Sequence, residues 1–378
     1  MWVPCILRVD THERRRVTRR SRTRGKLVAQ QTEDTGRAPR LTKEERSWIL
    51  YDVANSAFIL IVVTTLMPIF FKGVAAADLP GNRSTALWGY TNSIASIFLA
   101  VLAPILGSFA DYKGMKKRLF LLFFGLGVIM TFLFTTIGEG MWQYGMLITI
   151  IGLVGYSGAN LFYDSFITDV TTDERMDRIS TRGYAWGYVG SIVPFAIAFV
   201  FILMPGLIGG SQTLATRLAF VITGVWWFAF SIPLIRNVQQ SYFVERERHP
   251  IRGAFERLGK TFSHIRSYRN AFLFLIAYFF YIDGVGTIIK MATSYGTDIG
   301  MGQTELILVV LAIQIIAFPF ALIYGTLAKR YSAKAMLFVG ICVYVVVTVL
   351  GFFLPDFQDR TFQRIMFWAM AFLVGTSQ

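Results

Sequence analysis

Ten apolar segments of about 20 residues, separated by short polar loops, run from Trp48 to Gln378. An α-helix rises ~1.5 Å per residue, so each segment is long enough to cross the ~30 Å hydrocarbon core of a bilayer. Helices are the expected form, because lipid cannot hydrogen-bond a bare backbone. The pattern predicts an all-α polytopic membrane protein with about ten transmembrane helices.

Longer polar stretches divide the chain into four parts. We expect residues 1–47 to form a basic, disordered cytoplasmic tail. Residues 48–236 hold six apolar segments. Residues 237–269 form a linker, and residues 270–378 hold the remaining four segments. Within the linker, apolar residues recur every three or four positions and predict an amphipathic helix on the inner membrane surface: Ile251, Phe255, Leu258, Phe262 and Ile265.

Composition and charge support the membrane interpretation. The chain is 54% hydrophobic and only 16% charged, which is unusual for a soluble domain. The tail and the loops after the even-numbered segments hold 31 of the 37 Lys and Arg residues, so the positive-inside rule predicts a cytoplasmic N-terminus. We read the arginines of the tail as a topology signal, and expect the lipid bilayer, not nucleic acid, as the partner.

Signals for catalysis or cofactors are weak. His12, His249 and His264 stand in no metal-ligand spacing, and Cys5 and Cys342 are too few for a zinc site. Residues 253–261 approach a phosphate-binding loop, but the spacing is one residue too long and no apolar strand precedes it. We therefore expect no metal, no cofactor and no catalytic residue, and the protein is not predicted to be an enzyme.

Polar residues inside the apolar segments are the candidate functional residues. Segment 1 (48–71) carries Asp52 and Asn55 on one helix face, and segment 4 (142–168) carries Asn160 and Asp164. An Asp near the membrane centre costs at least ~2.5 kcal/mol on insertion scales, so such residues usually face a cavity. Two interpretations stay open: a substrate or proton site, or structural hydrogen bonding between helices.

Segment 7 (271–293) carries Asp283, Thr287 and Lys290 at helical spacing. Asp283 lies about 20 Å along the helix and is expected to be the most buried acid, either as a proton relay or as a hydrogen-bonded packing site. For Lys290 we favour snorkelling toward the outer face over a place on the solute pathway. Three glycines of segment 5 favour close helix packing: Gly183, Gly187 and Gly190.

A charged loop joins segments 2 and 3. We expect Gly107 to let two helices approach, Gly114 to permit the turn, and Asp111 to meet the positive end of a helix dipole. Three cations should hold the loop on the cytoplasmic side: Lys116, Lys117 and Arg118. The loop resembles the helix 2 to helix 3 signature of the major facilitator superfamily, with matches at Gly107, Ala110, Asp111, Gly114, Lys116 and Leu119. Tyr112 and Met115 depart from it, where arginine is usual.

A similar sequence recurs at residues 325–334, between segments 8 and 9, and indicates an internal repeat. The resemblance implies the major facilitator fold, in which two parallel six-helix halves are related by an axis along the membrane normal. Only four segments follow the linker, so the chain is expected to be a truncated product that lacks the last two helices. In the superfamily Asp111 meets the start of helix 11, which this chain would then lack.

Three stretches resemble the vacuole effluxer branch of the superfamily: 48–58, 160–188 and 281–285. The resemblance implies a monomeric secondary active transporter that exports a small polar solute, such as an amino acid, by alternating access, with a proton as candidate coupling ion. The alternative is a truncated, non-transporting membrane sensor or scaffold with the same fold. A bacterial protein would lie in the cell membrane, and a fungal one in the vacuolar membrane.

Overall fold

The computed structural model describes residues 40–244 and 268–377, together with the single positions 256, 259 and 263. These residues are nearly all helical, and nine helices within them are long and apolar enough to cross a membrane. The helices are α1 Lys43–Ala75, α2 Gly81–Ala110, α3 Met115–Leu133, α4 Trp142–Val170, α5 Asp173–Leu203, α6 Gln212–Asn237, α7 Arg269–Asp298, α8 Gln303–Arg330, α9 Ala333–Phe353 and the 18-residue α10 Arg360–Ser377. The predicted all-α membrane fold is confirmed.

The first helix starts earlier than the hydrophobic pattern indicates. The Thr42 hydroxyl accepts a hydrogen bond from the Glu45 N–H (3.1 Å), and Glu45 Oε2 accepts one from the Thr42 N–H (2.9 Å). This reciprocal capping box satisfies two backbone donors and sets the start of α1 at Lys43. The tail predicted over residues 1–47 therefore ends before Lys43.

Two other predictions fall largely outside the described residues. Positions 1–39, which include most of the predicted tail, are not described, and neither are the apolar positions of the predicted linker helix. The described part of the linker begins with residues 238–244, which leave α6 as a non-helical segment. That segment packs against the α2–α3 loop, where the Val244 N–H donates to the Asp111 carbonyl (2.8 Å).

α1 contains a widened turn in its middle. The Met67 N–H donates to the carbonyl of Val62, five residues earlier, and the Thr65 hydroxyl donates to the Leu60 carbonyl (2.6 Å). Such five-residue hydrogen bonding is often found at functional sites, because it redirects the side chains around it. Here it covers Phe58–Leu66, directly after the polar residues of α1.

Two hydrophobic cores hold the helices together. The larger core fills the space among α1–α6 and includes Phe58, Trp88, Phe120 and Trp227, all fully buried. A smaller core joins α7–α10 through residues such as Leu306 and Phe367. α1 is the most enclosed of the nine apolar helices within the described ranges, which places its polar residues inside the protein.

Candidate substrate pathway

The polar faces of α1 and α4 meet inside the bundle. Asn55 Nδ2 donates to Asn160 Oδ1 (2.8 Å), and Asp52 and Asp164 lie one turn from these amides on the same helices. The two carboxyl groups are within electrostatic range of each other. We call Asp52, Asn55, Asn160 and Asp164 the acid–amide cluster. The sequence patterns place all four on polar faces, and the structure brings the two faces together.

Close packing of α5 fixes the position of Asp52. A Cβ atom added at Gly183 would lie 2.9 Å from Asp52 Oδ2, and one at Gly187 would lie 2.7 Å from Ser56 Oγ. At Gly190 it would lie 2.3 Å from Val53 Cγ1. Only glycine allows this approach, so the predicted packing role of these residues is confirmed. We call the three residues the glycine face of α5.

Aromatic side chains from four helices surround the acid–amide cluster. Tyr156 of α4 lies one turn from Asn160 on the same helix. Trp48 of α1 stacks on Tyr163 of α4 with ring centroids 4.6 Å apart. Tyr184 of α5 and Tyr278 of α7 lie within electrostatic range of Asp164. Because α7 belongs to the second set of helices, the cluster faces both halves of the protein.

Exposure differs among the polar residues of the cluster. Asn55 is 5% exposed and Asp52 is half-buried, whereas Asp164 is exposed. An exposed carboxyl group on a helix that packs inside the bundle lies on an accessible internal surface. Asp164 is therefore the most accessible member of the cluster in this conformation.

A cavity of about 290 Å³ adjoins the acid–amide cluster. Its walls come from α1, α2 and α4, with Lys290 of α7 as one further lining residue. The polar lining side chains, apart from Lys290, are Asn92, Ser96, Tyr156 and Ser157. Lys290 is half-buried at this cavity, and the interpretation that it snorkels to the outer face stays a prediction.

Asp283 and Thr287 do not join the cluster. Both side chains are exposed, so the expectation that Asp283 is the most buried acid is wrong. Two acids outside the predicted set are more deeply buried: the side chains of Asp169 and Glu45 are 0% and 2% exposed. Depth along a helix fails to predict burial here, because the face that carries Asp283 has no helix packed over it in the described residues.

A charged network holds the end of the bundle where α1 begins, which we call the basic end. Lys116 Nζ lies 2.7 Å from Asp169 Oδ2 at the end of α4 and also donates to the Ser165 carbonyl (3.1 Å). Asp169 Oδ1 accepts from the backbone N–H groups of Ser241 and Tyr242. The α2–α3 loop, α4 and the segment after α6 are thus tied to one buried carboxylate.

The other residues of the α2–α3 loop have different environments. Gly114 has φ 73°, a left-handed conformation that favours glycine, so the predicted turn is confirmed. Lys117 Nζ donates to the Val238 carbonyl (2.9 Å), and Arg118 is exposed. A Cβ atom on Gly107 would meet nothing within 4 Å, so the predicted close helix approach at Gly107 is wrong in this conformation. Asp111 is exposed and bonds the post-α6 segment through its carbonyl.

At the opposite end, polar contacts join the two halves. Lys72 of α1 forms an ion pair with Asp298 of α7 and donates to the Ser294 carbonyl (3.0 Å). The Thr85 hydroxyl of α2 donates to Asp298 Oδ2 (2.9 Å). We call Lys72, Thr85, Ser294 and Asp298 the interhalf clamp. It closes the bundle at the end away from the basic loops.

Two more hydrogen bonds extend this closure inward. Trp88 Nε1 donates to the Lys290 carbonyl (3.2 Å), and the Thr293 hydroxyl donates to the Thr64 carbonyl (2.7 Å). Toward the basic end, side chains of α7 such as Phe279 and Phe280 are exposed. The hydrogen bonds therefore join the two halves toward the clamp end, and these α7 side chains have no helix packed over them in the described residues.

Several of these residues were not candidates from the sequence. Glu45 belongs to a Thr-x-x-Glu capping signature, which was available at Thr42–Glu45, and Glu45 also pairs with Arg175 (2.8 Å). Asp169 directly follows an apolar segment, a weak signal for a structural ion pair. Lys72 and Asp298 each sit at a helix end facing the same side, but their pairing has no local signal.

Comparison with known proteins identifies the family of this chain. The family described as "Vacuole effluxer Atg22 like" matches residues 81–173 and 168–377. An uncharacterized MFS-type transporter of Bacillus subtilis (strain 168), YxiO, is 46% identical over 342 residues, which are 90% of this chain and 78% of that protein. Autophagy-related protein 22-1 of Penicillium rubens is 21% identical over 67% of this chain and 55% of its own length.

Solved structures with low sequence identity share the fold. A D-xylose-proton symporter aligns with a TM-score of 0.57 at 12% identity, over 88% of this chain and 80% of that chain. A bacterial homologue of the human lysosomal transporter Spinster, in an inward-facing and unoccupied conformation, aligns with a TM-score of 0.54 at 17% identity, over 88% and 72%. Together with the family match and the Bacillus relative, they place this chain in the vacuole effluxer Atg22-like family of major facilitator superfamily transporters.

Proposed function

We propose that the chain is a secondary active transporter that moves a small polar solute, specifically an amino acid, by alternating access. The observation that carries this proposal is the acid–amide cluster, joined by the 2.8 Å bond between Asn55 and Asn160. Two carboxyl groups and two amides inside a membrane bundle are costly unless they serve a ligand or one another. Their place between α1, α4 and α5, facing Tyr278 of α7, suits a solute held between two halves.

We further propose that a proton is the coupling ion. Asp52 and Asp164 repel each other when both are ionised, and a proton or a cationic group of the solute relieves that repulsion. Binding of the proton can therefore be linked to release of the solute, and binding of the solute to release of the proton. Asp283, exposed on α7, is a second candidate proton carrier.

The proposed orientation places the basic end in the cytoplasm, following the loop charges. In that orientation the interhalf clamp closes the outer side, and we propose that this conformation opens to the cytoplasm. Transport requires the clamp to break and the basic end to close. The Bacillus relative at 46% identity favours a bacterial cell membrane.

Flux measurements in proteoliposomes test the proposal. The purified 378-residue chain is reconstituted and tested with radiolabelled L-amino acids under an imposed pH gradient, and separately in exchange mode without a gradient. We expect flux of at least one amino acid. Asp52→Asn and Asp164→Asn should lose gradient-driven flux while retaining exchange, and Asp356→Asn, in an exposed loop, serves as the matched control.

The same experiment separates the alternatives. A folded, reconstituted protein with no flux of any amino acid contradicts the amino-acid proposal and favours the sensor or scaffold interpretation. Unchanged gradient-driven flux in both Asp52→Asn and Asp164→Asn contradicts their coupling role. If Asp283→Asn alone abolishes gradient-driven flux, the proton is carried on α7.

A further inference from the structure

We infer that Lys290 binds the carboxylate group of the transported solute, in a subsite next to the acid–amide cluster. The inference deepens the proposed function and rests on it. Within the described part of the chain, Lys290 is the charged residue among those lining the 290 Å³ cavity. The walls from α1, α2 and α4 are otherwise apolar or carry neutral polar groups, so the cavity has a single cationic point.

The backbone at Lys290 is held in place by the other half of the protein. Its carbonyl accepts the hydrogen bond from Trp88 Nε1 (3.2 Å), and Trp88 is fully buried. Lys290 therefore enters the cavity from a fixed point, one turn from Thr293 and two turns from Asp298. Asp283 on the same helix lies within electrostatic range of the ammonium group. Within the described residues, no carboxylate oxygen lies close enough to Lys290 Nζ to form an ion pair.

A half-buried ammonium group in this position needs further acceptors. Lysine has three N–H donors and no acceptor, and a charged donor makes its strongest hydrogen bonds to a charged acceptor. A solute carboxylate supplies two acceptor oxygens and the opposite charge. Asn92 adds a second sign of an incomplete polar site, since it is 8% exposed and its Oδ1 has no partner in the part of the chain that the structure describes.

Tyr156 connects this subsite to the acid–amide cluster. It lines the cavity and lies one turn from Asn160 on α4. The two polar regions therefore share one wall: a cation on one side, and the carboxyl groups of Asp52 and Asp164 on the other. A solute that carries both an ammonium and a carboxylate group matches this arrangement, with its ammonium group toward the acids.

This arrangement also gives the solute a role in conformational change. The acid–amide cluster belongs to the first six helices, whereas Lys290 belongs to α7 of the second half. A solute held at both ends bridges the two halves, and its carboxylate contacts the helix that carries the interhalf clamp. A carboxylate-free analogue would bind one half only.

The test compares L-amino acids with their carboxamides, which keep the ammonium group and the size but lack the negative charge. Flux of each pair is measured in proteoliposomes with wild type, Lys290→Gln, Lys290→Arg and the control Lys334→Gln, which changes an exposed lysine in the first turn of α9. We expect wild type to prefer the acid over the amide by about tenfold or more, the effect of one charge-assisted hydrogen bond. Lys290→Arg and Lys334→Gln should keep that preference, and Lys290→Gln should lose it.

Each outcome is decisive. Equal flux of acid and amide in wild type, or an undiminished preference in Lys290→Gln, overturns the carboxylate subsite while leaving transport in place. Wild type that carries neither acids nor amides overturns the proposed function instead. If Lys290→Gln does not fold, the wild-type comparison of acid with amide still decides the subsite.

Discussion

Asn55 and Asn160 show how one pair of side chains can serve either packing or transport. Their hydrogen bond joins residues 105 positions apart and holds α1 against α4. In a membrane such a bond contributes only ~0.6 kcal/mol on average, up to ~1.7 kcal/mol, because the unfolded chain also finds partners. A large functional effect with a small stability effect would therefore identify a transport role.

A double-mutant cycle measures this directly. We expect Asn55→Leu, Asn160→Leu and the double variant to give a coupling free energy of unfolding of about 1 kcal/mol in detergent micelles, and each single variant to abolish flux. Thr223→Val is the control, since the Thr223 hydroxyl bonds only within its own helix, to the Ala219 carbonyl. Full flux in both single variants would assign the pair to packing alone.

At the scale of helices, the glycine face of α5 sets the position of Asp52. A methyl group at Gly190 would lie 2.3 Å from Val53 Cγ1, and a β-branched side chain on a helix has little freedom to move away. The contact between α1 and α5 therefore packs the two helices closely and also positions Asp52 in the acid–amide cluster.

Gly190→Ala should separate α5 from α1 and lower the free energy of unfolding by about 1–3 kcal/mol, the usual cost of overpacking. Gly89→Ala is the matched control, because nothing lies within 4 Å of its added methyl group. The control should be neutral or stabilising by up to ~1 kcal/mol, since alanine is the better helix former. Thermal unfolding of the two purified variants checks the prediction, and equal stability would contradict the packing role.

The interhalf clamp is the second device at this scale. Lys72 is 6% exposed on its side chain and Asp298 is 35% exposed, so their ion pair is partly shielded from water. Removing it by Lys72→Ala should favour the state open at the clamp end by on the order of 1 kcal/mol, about a fivefold change in population.

Thiol labelling reports this change. With Cys5 and Cys342 replaced by serine, a cysteine introduced by Thr293→Cys should react faster with a water-soluble thiol reagent in Lys72→Ala than in wild type. Arg364→Ala is the control, because the pair of Arg364 with Glu305 lies within the second half. An increase in the control as large as in Lys72→Ala would show that the clamp does not hold the halves together.

For the whole molecule, orientation follows from charge and remains a prediction. Lys334→Cys, at the exposed start of α9 at the basic end, should be protected from an impermeant thiol reagent added outside intact cells. Asn82→Cys, at the start of α2 at the opposite end, should be labelled. Asn82 is a better reporter than Ser84 of the same helix turn, because Ser84 is only 2% exposed. The reverse pattern of labelling would invert the proposed topology.

The helical membrane fold, the helix order and the polar faces could be predicted from the amino-acid pattern. These features depend on local properties: about 20 apolar residues for each crossing, a 3.6-residue period, and a glycine, Gly114, whose φ of 73° permits the α2–α3 turn. The faces that carry Asp52, Asn55, Asn160 and Asp164 could be predicted because uncompensated polarity in a membrane is rare.

Tertiary structure alone decided which of those residues meet and which do not. The clamp joins Lys72 and Asp298, 226 positions apart, and the basic-end network joins Lys116 to Asp169, 53 apart; neither pairing has a signal in its local pattern. The same reason explains the errors at Asp283 and Gly107. Whether a helix face is covered, open or turned to a cavity depends on which other helix packs against it, and no spacing within one segment contains that information.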